Sequence, residues 1–255
     1  MNLLSHFSDL TPPRPQQLLP DIPGGAETNL LPVTALQADL RVDLDVWEPV
    51  PTPQLPHTLS LRLGGRPVNS KRFVDLVDPH VMLLKDSMVP GIHQLEYTVE
   101  TDSGESFPSS AMTLTIDKSA PNFATTSQVV FPSDMRDGIT LDYLTENDDK
   151  VVVTVPQWPE IKPGDSVHWY WGLQLANPGT ATVMSLDAEA VAKPITVELT
   201  KAFLGARGDG TRYMSYRLAD RAGNITSGYS IPVQVEVDLT EVPRDLPPVS
   251  VIPFA

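Results

Sequence analysis

The residues that could perform chemistry are scattered along this chain, and they form no catalytic motif. Covalent catalysis needs a nucleophile, a base and an orienting group within reach of one another. The chain contains no cysteine, and it lacks the G-x-S-x-G, H-E-x-x-H, P-loop and dinucleotide-binding patterns. The five histidines lie far apart along the sequence, at His6, His57, His80, His93 and His168. The sequence therefore predicts a protein that is not an enzyme.

Two aspartates are the best candidates for metal ligands. Asp117 and Asp238 each precede a short segment that contains a proline, and we expect each to lie at the end of a domain. Carboxylate oxygens suit Ca²⁺, so one hypothesis is a calcium site at the domain junction. The alternative is that the chain binds no cofactor. We expect weak or no dependence on calcium.

Aromatic residues of the second half suggest a site for a sugar. Trp158 and Tyr170 could form a stacking platform, whereas Trp169 and Trp171 would point to the opposite face of the same strand. The alternative is that the tryptophans fill the protein core.

Arg207-Gly208-Asp209 is a tripeptide that some extracellular proteins present to adhesion receptors. It precedes a strand in a glycine-rich stretch, so exposure is expected. The alternative is a solvated turn, because a match of three residues arises easily by chance.

Composition excludes several classes of partner. The net charge is −14, which disfavours nucleic acids and anionic membrane surfaces. No apolar run approaches the roughly 18 residues needed to cross a bilayer. Residues 1–25 lack a basic start and an uninterrupted apolar stretch, so no N-terminal signal peptide is expected.

An internal repeat organises the chain. A shift of 111 residues places Trp47 on Trp158 and His57 on His168. A shift of 119 residues, needed further along, aligns two apolar triplets. These are Leu95, Tyr97 and Val99 in the first copy, and Met214, Tyr216 and Leu218 in the second. Because loop insertions cost little, a changing shift is compatible with a duplicated domain.

The repeat predicts two domains and two flanking segments. Residues 14–118 form the first domain and residues 119–240 the second, joined by a short, stiff proline linker with little contact between the domains. Residues 1–13 are expected to be a flexible, proline-rich N-terminus. Residues 241–255 are either a proline-rich linker or the start of a third repeat, since Val249–Pro253 is similar to Gln128–Pro132.

Hydrophobic periodicity indicates an all-β fold. Apolar residues recur at every second position, as in Val42 and Leu44 or in Leu59, Leu61 and Leu63. This alternation is typical of antiparallel strands that bury one face. About seven such segments per copy, and 26 prolines, predict two tandem immunoglobulin-like antiparallel β-sandwich domains.

The last hairpin of the second copy resembles that of bacterial immunoglobulin-like domains of the adhesin type. The resemblance rests on Tyr216, on the turn Asp220-Arg-Ala-Gly-Asn224, and on Val235-Glu-Val-Asp238. It implies further immunoglobulin-like repeats, an extracellular or cell-surface location, an unidentified protein or glycan surface partner, and junction carboxylates of the kind that bind calcium in some arrays. The function expected is a structural or adhesive spacer. The alternative is a carbohydrate- or protein-binding accessory module of a toxin or enzyme beyond residue 255.

Overall fold

A computed structural model describes residues 9–25, 27–175 and 179–241 of the chain. Residues 249–253, with their similarity to a first strand, lie outside this part, as does His6. Within it, no helix has both the length and the apolar character required to cross a membrane.

The first module is a sandwich of two antiparallel sheets. One sheet orders its strands β4-β3-β6-β7, with β8 also paired to β6, and the other orders them β1-β2-β5. The strands are β1 (Arg14–Pro15), β2 (Leu40–Asp43), β3 (His57–Leu63), β4 (Arg66–Phe73), β5 (His80–Leu83), β6 (Gly91–Thr101), β7 (Ser106–Pro108) and β8 (Met112–Ile116). One-turn 3₁₀ helices span Val33–Gln37 and Lys85–Ser87.

The second module repeats this plan with insertions. Its larger sheet has the order β12-β11-β14-β15-β9, and β10 pairs with β13 in the smaller sheet. The strands are β9 (Ile139–Thr140), β10 (Lys150–Val155), β11 (Ser166–Gly172), β12 (Thr182–Ser185), β13 (Ile195–Thr200), β14 (Gly210–Ala219) and β15 (Val233–Asp238). The helices are short: α1 (Leu141–Glu146), α2 (Lys201–Gly205) and a 3₁₀ turn at Ala190–Ala192.

Each sandwich has its own hydrophobic core. The first core draws on residues from Leu10 to Ile116, and the second on residues from Val129 to Val237. All six residues of the aligned triplets are buried: Leu95, Tyr97, Val99, Met214, Tyr216 and Leu218. They lie on β6 and β14, the central strands of the two larger sheets. The all-β, tandem sandwich predicted from alternation is therefore confirmed.

Part of the N-terminal segment is packed. Leu10 is buried in the first core and bridges to Ser109. The Thr11 hydroxyl donates to Asp45 Oδ2 at 2.7 Å. Residues 1–13 are expected to be flexible, and within them Leu10 packs against the first core.

The strand register corrects one detail of the repeat. Leu61 pairs with Tyr97 in the first module, and Trp169 pairs with Tyr216 in the second. Equating the two tyrosines therefore equates His57 with Asp165, one residue before β11, and not with His168. The shift between equivalent residues is therefore 111 at Trp47 and Trp158, but 108 along β3 and β11. It changes because the loop between the tryptophan and the strand is three residues shorter in the second module.

Candidate functional site

Hydrogen bonds and an ion pair connect the two modules at their junction. The turn Asp220–Asn224, which follows β14, touches the first module through Arg221, Ala222 and Asn224. The Arg221 guanidinium donates to the Glu27 carbonyl at 2.8 Å and to the Pro20 carbonyl. The Ala222 carbonyl accepts from the Val33 amide at 2.7 Å. These bonds correct the expectation of little contact between the modules.

Asn224 completes this contact from the end of the same turn. Its side-chain amide donates to the Asp117 carbonyl at 3.2 Å, at the point where the chain leaves the first module. The contacts thus join the exit end of the first module to the end of the second at which β14 finishes and β11 begins.

A second turn, at residues 162–165, meets the first module beside Arg221. The Lys162 ammonium lies 2.8 Å from Glu27 Oε1, and the Glu27 carboxylate is largely buried there. Gly164 has a φ of +95°, and a Cβ at this position would lie 2.8 Å from the side chains of Ile22 and Arg221. The close approach of the modules therefore requires glycine at residue 164.

A carboxylate organises each of these turns: Asp165 is buried, and Asp220 is partly buried. Asp165 Oδ2 accepts from the Lys162 amide at 3.0 Å and from Trp158 Nε1 at 3.3 Å. Burial raises the pKa of Asp165 to about 6, and the charges of Asp220 and Glu27 act in the same direction. In the other turn, Asp220 accepts from the Asn224 amide at 2.8 Å and from its side chain at 2.7 Å. Burial raises the pKa of Asp220 as well, and the Asp117 charge adds to the effect.

The structure does not bring Asp117 and Asp238 together. Asp117 Oδ1 accepts from the Ser119 amide, and Asp238 Oδ1 from the Thr240 amide, each within its own turn. The two residues lie at opposite ends of the second module, separated by the length of β14. A small polar cavity of about 100 Å³ beside Asp117 also contains the Lys162 ammonium. Over the described ranges, no three His, Cys, Asp or Glu side chains are placed to hold a metal ion.

The structure does not bring Trp158 and Tyr170 together as a platform. Trp158 is 3% exposed and belongs to the second core, where its indole N–H faces Asp165. Tyr170 is 8% exposed, and its ring packs edge-on against Tyr229 at a centroid distance of 5.0 Å. Neither ring offers a free face, so the expected platform is corrected: one residue is core and the other is covered.

Arg207-Gly208-Asp209 lies in the exposed loop between α2 and β14, but its side chains bind within the protein. The Arg207 guanidinium stacks 3.6 Å from the Phe203 ring centroid. Asp209 Oδ1 accepts from the Leu239 amide at 3.0 Å. The buried Arg212 holds the loop by donating to all three carbonyls of the tripeptide. Both side chains that a receptor would recognise are thus also engaged in contacts within the protein.

A cleft of about 400 Å³ lies beside this loop, at the end of the second module remote from the junction. Its lining includes Trp171, Leu173, Gln174 and Arg207. The cleft offers an aromatic ring and a guanidinium group to a small ligand.

Sequence reasoning missed Arg221 and Lys162, the two cations that cross the junction. The Asp220–Asn224 turn belongs to the motif that resembles bacterial immunoglobulin-like domains. Its sequence alone does not show that the Glu27 and Pro20 carbonyls lie within hydrogen-bonding distance of Arg221. The first copy gave one signal: its corresponding turn, Thr101–Glu105, lacks the arginine and the asparagine.

Comparison with known proteins identifies similar structures only. No protein-family model matches the sequence, and no curated protein does. A structure of a 1.5-MDa bacterial ice-binding adhesin is 18% identical, covering 90% of this chain and 66% of that one, with a TM-score of 0.41. A Ca²⁺-stabilised adhesin of an Antarctic bacterium that binds ice is 15% identical, covering 91% and 49%, with a TM-score of 0.42.

Fibronectin(III)-like modules of Clostridium thermocellum CbhA are also similar, at 12% identity, with 79% of this chain and 85% of that chain covered and a TM-score of 0.37. The chain spans less than two thirds of each adhesin structure. The strand pairing itself shows the β-sandwich fold of both modules.

Proposed function

We propose that this chain is a non-enzymatic spacer: two sandwich modules, comprising residues 14–118 and 119–240, held end to end in a fixed orientation within a larger bacterial surface or secreted repeat protein. The observation that carries the proposal is the bonded junction. A spacer transmits reach only if its joints resist bending, and here one turn of the second module binds four backbone groups of the first. Such a protein would serve adhesion by positioning a distant protein- or glycan-binding part.

Three features support this proposal. The junction uses backbone carbonyls and one backbone amide of the first module, whose positions are fixed by its fold. The linker contains Pro121, whose ring restricts the backbone. The net charge of −14 keeps a long array soluble and disfavours association with other anionic surfaces.

Spin labels on the two modules test whether the joint is fixed. Because the chain has no cysteine, Ser70→Cys in β4 and Ser185→Cys in β12 give one label on each module. We expect one narrow distance distribution, and Arg221→Ala should broaden it by removing two bonds. Arg136→Ala, an exposed arginine outside the junction contacts, is the matched control and should leave the distribution unchanged. A broad distribution in the labelled chain without further substitution would refute a fixed joint.

The cleft beside Trp171 favours a second candidate function, an accessory module that binds a glycan or a protein segment. It combines an aromatic ring, the exposed Leu173 and the Arg207 guanidinium. A glycan array probed with the whole chain tests this candidate, with Trp171→Ala as the variant that should abolish any signal. Signal that survives Trp171→Ala would place binding elsewhere.

A further inference from the structure

We infer that the joint between the modules is pH-responsive: mild acid closes it more firmly, and a rise above neutral pH loosens it. The inference rests on the proposed function, since it concerns the same junction. It follows from the position of two carboxylates, the buried Asp165 and the partly buried Asp220, each at the base of a turn that touches the first module.

The geometry couples these carboxylates to the contact. Asp165 fixes the Lys162 backbone, and the Lys162 side chain reaches Glu27 of the first module. Asp220 fixes Asn224, whose amide group reaches the Asp117 carbonyl. A change in charge at either aspartate therefore acts on a bond that crosses the junction.

Negative charge predominates among the groups that face Asp165. The first module contributes Glu27 and Asp117, and the turn after β14 contributes Asp220 together with the Arg221 cation. The loop of Asp165 itself adds Glu160 and Lys162 to the same small cavity. Closing the joint thus brings two carboxylates of the first module towards the buried Asp165 and the partly buried Asp220 of the second.

The sign of the effect follows from linkage. The closed joint surrounds Asp165 and Asp220 with more negative charge and less water than the open joint, so their pKa values are higher when it is closed. The form with the higher pKa binds protons more tightly, and acidification favours it. For Asp165, with a pKa of about 6, the change falls between neutral pH and about pH 5.

Hydrogen exchange of the Val33 amide measures closure directly, because this amide donates across the junction to Ala222. Its protection factor, corrected for the intrinsic exchange rate, is compared at about pH 5 and about pH 7.5. We expect protection to be severalfold higher at about pH 5. Asp165→Asn should remove most of this difference, and the exposed Asp137→Asn should preserve it. Glu27→Gln, which leaves the second module intact, should reduce it.

The outcomes separate this inference from the proposed function. Equal, high protection at both pH values would overturn the pH response and leave the fixed joint standing. Absence of protection at both values would overturn both. If Asp165→Asn impairs folding of the second module, the Glu27→Gln variant decides: an unchanged pH difference there would contradict the inference.

Discussion

The two modules share one framework and differ in the polar groups that complete it. In each, a buried tyrosine on the central strand exchanges two hydrogen bonds with a serine: Tyr97 with Ser109, and Tyr216 with Ser230. In each, a buried tryptophan donates its indole N–H to the start of the neighbouring strand. The acceptor is His57 Nδ1 for Trp47, at 3.1 Å, and Asp165 Oδ2 for Trp158.

Both modules thus keep a buried tryptophan whose indole N–H donates a hydrogen bond, but the residue that accepts this bond differs between them. Any acceptor at that position satisfies the buried N–H, so either imidazole or carboxylate preserves the fold. The choice matters for what lies outside the core, because only Asp165 also binds the Lys162 backbone at the junction. In the second module, Asp165 therefore links the core residue Trp158 to the contact with the first module.

Truncation of the central tyrosines should have the largest effect and should affect the modules alike. Tyr97→Ala and Tyr216→Ala each remove a fully buried ring, and we expect each to cost about 3–5 kcal/mol, as for other large aromatic deletions. Module-resolved denaturation, followed by NMR, measures both. Tyr213→Ala, on the same strand but half-exposed, is the control and should cost clearly less. A loss below about 1 kcal/mol at either buried tyrosine would contradict the shared core.

Removing the indole donor should distinguish the modules. Trp158→Phe leaves a buried carboxylate short of one bond, whereas Trp47→Phe leaves a neutral imidazole. Bonds to charged groups contribute about 1.5–3 kcal/mol and neutral ones about 0.5–1.5 kcal/mol, so Trp158→Phe should be the more costly change at neutral pH. The difference in cost between the two substitutions should become smaller at about pH 5, where Asp165 is largely neutral. Equal costs at both pH values would show that the acceptor's charge is irrelevant.

The tyrosine hydroxyls provide a smaller contrast. The Tyr97 hydroxyl bonds to Thr11, which itself donates to Asp45. The Tyr216 hydroxyl is buried without a partner among the described residues, and burial raises its pKa to about 12. We expect Tyr97→Phe to cost about 0.5–1.5 kcal/mol and Tyr216→Phe to be neutral or stabilising, measured by urea unfolding of each variant. A comparable loss in both would mean that the Tyr216 hydroxyl has a partner.

Acidification should shift the two modules in opposite directions. Burial lowers the pKa of His57, so its contribution to stability is present above about pH 6.5 and is lost as the pH falls. The pKa of Asp165 is raised, so its contribution is greatest below about pH 4 and is lost as the pH rises through about 6. Between about pH 7 and 5 the second module should gain stability relative to the first, by module-resolved unfolding. Asp165→Asn should abolish that gain.

Much of this fold was predictable from the sequence, since alternation reveals which residues face a core. Leu95, Tyr97 and Val99 are buried because strand geometry sends every second side chain to one face. The equivalence of His57 with Asp165 is hidden by the chance match of His57 with His168, although a deletion of three residues inverts the phase of the alternation along β11. The role of Arg221 depends on carbonyls almost 200 positions away in the chain, which only the folded structure brings close.

Small-angle X-ray scattering of the whole chain tests the spacer most directly. The proposed end-to-end arrangement requires an elongated particle. Its radius of gyration should clearly exceed the roughly 18 Å of a compact globule of this length, with no change on dilution. A value near 18 Å would mean that the modules pack side by side, and would contradict the account.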